Sequence, residues 1–233
     1  MHESTFSWFH HIPFLSQLEE HVAGALLVSV ILGVFALMAR ISLARQPNYL
    51  VPSGRLTFLN AADLIAEQLY KTTESVLGHE APIYFPVMGG LFLYVLLNNL
   101  IGLVPGMEPP SANVNTNLAC GLFVFFYYNY QGLKHGGLHY LKHFMGPVWY
   151  LAWLLLPIEI ISHTVRPFTL ALRLKGNMVG DHTVLNTFTS LAPHGLLLPI
   201  PFYFLGLMVC FIQAYVFVLL TMVYVSLAKE SDH

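Results

Sequence analysis

Charge is what this sequence has least of. Of its 233 residues only 9% are Asp, Glu, Lys or Arg, where a soluble domain carries about 25%, and that shortfall argues against a water-soluble globule. Cysteine is almost missing as well. Cys120 and Cys210 each sit inside an apolar run, which suits small buried hydrophobes better than a disulfide or a metal site. There is no basic excess: the formal net charge is -2, so the chain offers no surface for phosphate, and nucleic acid is dropped as a partner. Met1 to His21 holds no Lys or Arg. The positively charged start of a cleaved signal peptide is therefore lacking, and the first apolar run is expected to stay in the mature chain. No nucleotide-binding loop is found either.

What is present is apolar surface, 56% of residues being hydrophobic and gathered in long runs, the pattern of an all-α polytopic membrane protein. The runs cover residues 22–39, 83–104, 116–130, 148–191 and 196–228, so about five membrane-crossing helices are expected in a single integral membrane domain. Residues 54–80 differ. Asp63, Glu67, Lys71 and Glu74 fall on one helical face, with Phe58, Ala62, Ile65, Leu69 and Val76 opposite. This predicts an amphipathic helix along the cytoplasmic interface or, alternatively, a short helix packed on the membrane domain. Either way it is not a span.

Basic residues set the expected orientation. Arg40, Arg45, Arg55 and Lys71 follow the first span, Lys134 and Lys142 the third, and Lys229 the last. These regions and the C-terminus are assigned to the cytoplasm, while the N-terminus, the loop 106–115 and the turn at Pro193 are assigned to the outside. The last two runs, roughly 44 and 33 residues, would extend about 66 and 50 Å as helices against a hydrocarbon core of about 30 Å. They are expected to form a steeply tilted hairpin that presents a broad flank to a neighbouring protein.

The penultimate run carries the costliest residues. Glu159, Arg166 and Arg173 recur at intervals of seven, and Ser162, Thr169, Asn177 and Gly180 fall on nearly the same helical side. An Arg near the bilayer centre costs about 2.5 to 3.5 kcal/mol on insertion scales, so the stripe is expected to face protein or water as a path for ions or protons. For Arg166 a structural role stands beside that reading, through pairing with Glu159 or snorkelling from a cytoplasmic helix start. Arg173 has no carboxylate three or four positions away on either side, and no such local pairing is open to it.

Pro157-Ile158-Glu159, Ser162, Arg166-Pro167-Phe168-Thr169-Leu170-Ala171-Leu172-Arg173-Leu174 and Gly176-Asn177-Met178 resemble the signature of the subunit a family of F-type ATP synthases. Ile212-Gln213-Ala214-Tyr215-Val216-Phe217 with Leu219-Leu220-Thr221, Asn98-Asn99-Leu100-Ile101-Gly102-Leu103-Val104-Pro105 and Pro109-Pro110-Ser111-Ala112-Asn113-Val114-Asn115 are similar to further parts of that family. The resemblance runs from about His21 to Ala228. It implies the membrane stator of a rotary motor, beside a ring of carboxylate-bearing c subunits, held by the b stalk within the F1Fo complex, hydrolysing nothing itself and needing no cofactor. A bacterial plasma membrane is the expected location.

On that resemblance Arg173 is the essential charge facing the c ring. Guanidinium does not deprotonate in proteins, so it holds a carboxylate ionised without relaying its proton. Two aqueous half-channels on either side would draw on Glu159, Ser162, His163, Asn177, Asp181, His182 and Gln213, with Arg166 and Thr169 completing the polar stripe. Family positions matching Asn177, His182 and Gln213 belong to the external half-channel or the Arg environment. His182 is read as a relay, with a packing histidine as the alternative, since an imidazole of pKa about 6.5 exchanges protons near neutrality. Gln213 is read as a partner of Arg173 or as glue between helices. Three residues depart from the family pattern. Lys175 replaces an aromatic, Gly206 stands where an acid or histidine is common, with Asp181 as a local compensation, and Asn113 stands where some members have Asp.

Other readings were weighed. His135, His139 and His143 recur at a four-residue spacing that suits metal on a helix, but neighbouring Lys134 and Lys142 favour a solvated loop, and no metal is expected. A membrane haem cytochrome would need axial histidines on separate spans, and no such pair is obvious. A secondary ion transporter would favour internal repeats, and no repeated half is seen.

Overall fold

A computed structural model describes residues 19–45, 58–104, 107, 109–143, 152–191 and 199–230. The described residues are helical or in short connections, ordered α1 (Glu20–Arg45), α2 (Phe58–Leu77), α3 (Ala81–Leu100), α4 (Val114–His143), α5 (Ala152–Leu191) and α6 (Pro199–Glu230), with 3-10 turns at Gly78–Glu80, Ile101–Leu103 and Pro110–Ala112. Three stretches are long and apolar enough to cross a membrane: Glu20–Ile41, Asp63–Leu103 and Ile200–Lys229. The chain is thus an all-helical membrane protein.

The second of these stretches has 41 residues, but it does not run straight. Gly78 takes φ 62, a left-handed conformation open to glycine and costly for residues with a Cβ. Pro82 then starts α3 in its first turn, where its missing N–H costs no helical bond. The chain reverses there, and Tyr70 of α2 sets its ring edge-on to Phe85 of α3 at 5.4 Å. The Tyr215 hydroxyl of α6 lies 3.4 Å from that of Thr72. The amphipathic helix is therefore packed on α3 and α6, with Glu67 and Lys71 paired on its outer face at 2.7 Å.

α6 is the centre of the bundle and packs against α2, α3, α4 and α5. Cys210, Ala214, Phe217, Thr221, Val225 and Ala228 are all buried, and their alternation of three and four residues makes one stripe along the helix. Facing them are Tyr84, Met88 and Val95 of α3, Val124 and Tyr128 of α4, and Leu170 and Leu174 of α5. Both cysteines are free thiols. Lipid tails are as apolar as leucine, so close packing holds such helices together better than hydrophobicity does, and small residues let backbones approach. Gly121 of α4 is such a residue: a Cβ there would lie 2.6 Å from the Pro167 carbonyl oxygen of α5.

Local chemistry sets the helix ends. The Asn113 side-chain oxygen accepts the Asn115 N–H at 2.9 Å, which caps α4, while its amide lies 3.2 Å from His21 Nδ1 at the start of α1. α4 continues beyond Tyr130 and breaks its helical geometry at Gly137, where φ is 51. At the end of the bundle where α6 finishes, Lys229 donates to Glu80 at 2.5 Å. His135 joins this group, with Nε2 3.1 Å from the Tyr84 hydroxyl and 3.9 Å from Glu80. Arg55, the turn expected at Pro193 and the side chains of His139, Lys142 and His143 lie outside the described residues.

Candidate functional site

α5 has 40 residues and holds Pro157 and Pro167 in its interior. It runs antiparallel to α6. Arg166 meets Tyr224, Asn177 meets Gln213, Asp181 meets Gly206 and Phe188 stacks on Phe202 at 3.9 Å, the α6 partner falling in number as the α5 residue rises. These contacts give each polar residue of α5 its own surroundings.

Arg166 is half-buried among rings. Its guanidinium carbon lies 6.0 Å from the Tyr128 ring centre and 5.3 Å from that of Tyr224, inside the range in which a cation is attracted to an aromatic face. His163, three residues earlier and buried, places Nδ1 3.1 Å from the Tyr128 hydroxyl. The Thr169 hydroxyl donates to the Arg166 carbonyl at 2.8 Å, so its polarity is spent on its own helix. Ser162 is exposed, and the Glu159 side chain lies outside the described residues.

Arg173 differs in every respect. It is exposed and makes no hydrogen bond or ion pair among the described residues. Leu172 beside it is 59% exposed, and Thr169 and Asn177, about one turn away on its own side of the helix, are exposed as well. One turn on, Asn177 donates to the side-chain oxygen of Gln213 at 2.5 Å. Gln213 is therefore tied across to α5 as glue between helices and bonds Asn177 rather than Arg173. It is buried, and its Nε2 has no hydrogen-bond partner among the described residues.

Beyond Asn177 stand further polar groups. Both ring nitrogens of His182 are buried without a hydrogen-bond partner among the described residues. A Cβ on Gly206 would come 2.8 Å from an Asp181 carboxylate oxygen and 2.8 Å from Leu103. The carboxylate of α5 thus occupies the space that a side chain on α6 would fill, which accounts for glycine at this position. Lys175 is half-buried on another side of the helix from Arg173. Among the described residues no group of three or more His, Cys, Asp or Glu could hold a metal ion.

The sequence does not point to the rings around Arg166 or to the contact of Gly121. Tyr128 and Tyr224 are aromatics inside apolar runs, like many others, and only the packing of α4 and α6 on α5 singles them out. A glycine within the apolar run 116–130 was the one available signal of close approach.

Long apolar helices packed into one bundle define an integral membrane protein, with an exposed arginine on α5 and, beyond it, the Asn177–Gln213 pair and His182. The sequence profile of the ATP synthase A chain family matches residues 23–226, and the chain belongs to that family. It is 43% identical over 230 residues to ATP synthase subunit a of Bdellovibrio bacteriovorus, covering 98% of this chain and 100% of the relative. It is 45% identical over 183 residues to ATP synthase subunit a of Geobacter sulfurreducens, 78% of each chain. With ATP synthase subunit a of Nitratidesulfovibrio vulgaris it shares 52% over 157 residues, 67% of this chain and 66% of the relative. Membership bears out the resemblance in the sequence, supports a stator role in Fo proton translocation and makes the F1Fo complex the setting of this chain.

Proposed function

We propose that this chain guides protons between two aqueous half-channels and holds Arg173 against the carboxylates of a passing c-subunit ring, so that proton flow turns the ring and drives ATP synthesis elsewhere in the complex. The observation that carries this reading is Arg173 itself, exposed on the polar stripe of an otherwise apolar helix and without a hydrogen bond or ion pair among the described residues. At a cost of about 2.5 to 3.5 kcal/mol near the bilayer centre, such a group needs an opposite charge from outside the chain.

A carboxylate on the ring must be neutral to face lipid, because burial disfavours its charge, and an opposite charge within about 4 to 6 Å lowers its pKa by about 1 to 3 units. Arg173 supplies that charge, so the rotor site gives up its proton on arrival. The guanidinium keeps its own proton, which stops protons from passing directly between the two half-channels. Asn177, Asp181, His182 and Gln213 line the external path. Glu159, Ser162 and His163 belong to the cytoplasmic one, and Arg166 and Thr169 are structural. The subunit catalyses no reaction itself and is held by the b stalk.

In the membrane α1, α3, α4, α5 and α6 cross, giving five spans in one domain, and α5 and α6 form a hairpin lying well over from the normal. α2 stays at the cytoplasmic side, packed on α3 and α6. The odd number of crossings puts the termini on opposite sides, and the basic residues after the first, third and last spans assign the C-terminus to the cytoplasm and the N-terminus to the outside of a bacterial inner membrane.

The test is ATP-driven acidification of inverted membrane vesicles carrying Arg173→Ala, with assembly and ATP hydrolysis measured in parallel. Acidification is expected to vanish while the complex stays assembled. Unchanged acidification would overturn the assignment and return Arg173 to a structural charge.

A further inference from the structure

Arg173 makes no hydrogen bond or ion pair among the described residues, so its aim comes from how α5 is held on either side. On one side stands the Asn177 to Gln213 hydrogen bond at 2.5 Å. On the other the structure offers a more elaborate fixture. The Tyr128 and Tyr224 rings lie 5.9 Å apart with 51° between their planes, and the Arg166 guanidinium approaches both, at 6.0 and 5.3 Å. Three helices meet at that cation, α4 through Tyr128, α6 through Tyr224, and α5 through Arg166.

We propose that Tyr128, Tyr224 and Arg166 form a cation–π cage that sets the rotation of α5 and so aims Arg173 at its partner charge. The inference rests on the role given to Arg173 above. Tyr128 is fully buried, and its hydroxyl meets His163 through Nδ1 at 3.1 Å and through the backbone carbonyl at 3.4 Å. It therefore touches α5 at two residues three apart, which share a helical face. Next along the chain, the backbone of Gly121 abuts the Pro167 carbonyl closely enough to leave no room for a methyl group. α5 cannot roll here without breaking the ring contacts or colliding with α4.

Rotation at Arg166 is carried to Arg173 by helix geometry. Seven residues turn an α-helix through about 700°, so the two side chains point within about 20° of each other and stand about 10.5 Å apart along the axis. A roll of about 10° moves a group about 6 Å from the axis by about 1 Å. Displacements of that size cost about 100-fold where reacting groups must meet in a set geometry. A guanidinium is planar and always charged, and the attraction of a cation to an aromatic face grows when water is excluded. The cage therefore combines a fixed charge with two fixed rings, where a simple apolar contact would allow slippage. These three are positioning residues, since they act on the ring carboxylate only through Arg173.

The test uses the assembled complex in inverted vesicles with Tyr224→Leu, Arg166→Met and Tyr224→Phe, reading acidification per ATP hydrolysed at matched amounts of complex. Leu and Met remove the ring or the cation, and each is expected to lower acidification per ATP by about tenfold while the complex still assembles. Phe keeps a ring face and is expected to retain roughly half or more of the wild-type value. A defect in Arg166→Met, which keeps a long side chain and removes only the cation, is an outcome that mere filling of space would not produce. Normal pumping by the Leu and Met variants overturns the proposal, as does an equal defect in Leu and Phe. Failure of both Leu and Met variants to assemble also overturns it, by making the cage a folding element. Arg173→Ala run alongside separates the two readings. If it pumps normally, the role of Arg173 fails; if it is inactive while the cage variants pump normally, only the cage fails.

Discussion

Two arginines, seven residues apart on one helix, live in different worlds. Arg166 is enclosed by Tyr128 and Tyr224, while Arg173 is exposed and makes no bond among the described residues. The same side chain thus once meets rings and once carries a charge that the described residues leave unmatched. In a bilayer the second arrangement is costly unless a partner arrives from outside, and on this ground we propose Arg173 for the working face and Arg166 for the framework. The contrast extends to glycines on the two sides of α5. A Cβ on Gly121 would strike the Pro167 carbonyl oxygen at 2.6 Å, whereas one on Gly176 meets nothing within 4 Å.

The largest effect that sharpens this contrast is expected from lysine at each arginine in turn. Arg173→Lys keeps a charge but loses the planar fork and the high pKa, and proton pumping in vesicles should fall by at least about 100-fold, by the sensitivity to placement that such sites show. Arg166→Lys keeps a cation over the rings and should retain most of the pumping. Equal loss in both would erase the distinction.

Next come the glycines. Gly121→Ala must push α4 from α5 and should cost about 1 to 3 kcal/mol, read as a lower melting temperature of the detergent-solubilised complex. Gly176→Ala should leave the melting temperature alone yet lower pumping, because the added methyl stands on the face given to the c ring. A stable, fully active Gly176→Ala would place that ring elsewhere.

Removing each arginine's side chain probes stability. Arg166→Ala should cost about 0.5 to 2 kcal/mol through lost cation–π contact, whereas Arg173→Ala should leave the stability within about 0.5 kcal/mol of wild type, as for an exposed site. The same melts measure both.

The smallest effect lies at the far end of α6. The hydrogen bond from Lys229 holds the Glu80 carboxyl below the usual carboxylate range. A depressed folded value stabilises the protein above the unfolded value of about 4.3, and that stability is lost as the pH falls through the folded value. Glu80 is partly exposed, so Glu80→Gln should cost no more than about 1 kcal/mol near pH 7. The gap between variant and wild-type melting temperatures should close as the buffer is made acidic.

Much of this was legible in the residues. Scarce charge and long apolar runs announced helices in a membrane, and the two faces of residues 54–80 announced an amphipathic helix, which packs on α3 and α6 as α2. The motif around Arg173 resembles the family by residues alone. Less legible were the partners. Gln213 was open between Arg173 and a helix contact, and packing gave it to Asn177. Asp181 and Gly206 stood apart as two departures from a pattern, until the carboxylate proved to fill the space above the glycine. Asn113 looked like a lost acid and turned out to cap α4.

The sequence by itself determined that this chain is built of apolar helices and that Arg166 and Arg173 share one side of one of them, because hydrophobicity and the 3.6-residue period are local properties of the chain. Only the tertiary structure decided which arginine is enclosed and which is open. That choice depends on Tyr128 and Tyr224, which reach Arg166 from two other helices. Helical periodicity treats residues seven apart alike, and only neighbours brought from elsewhere in the chain make them different.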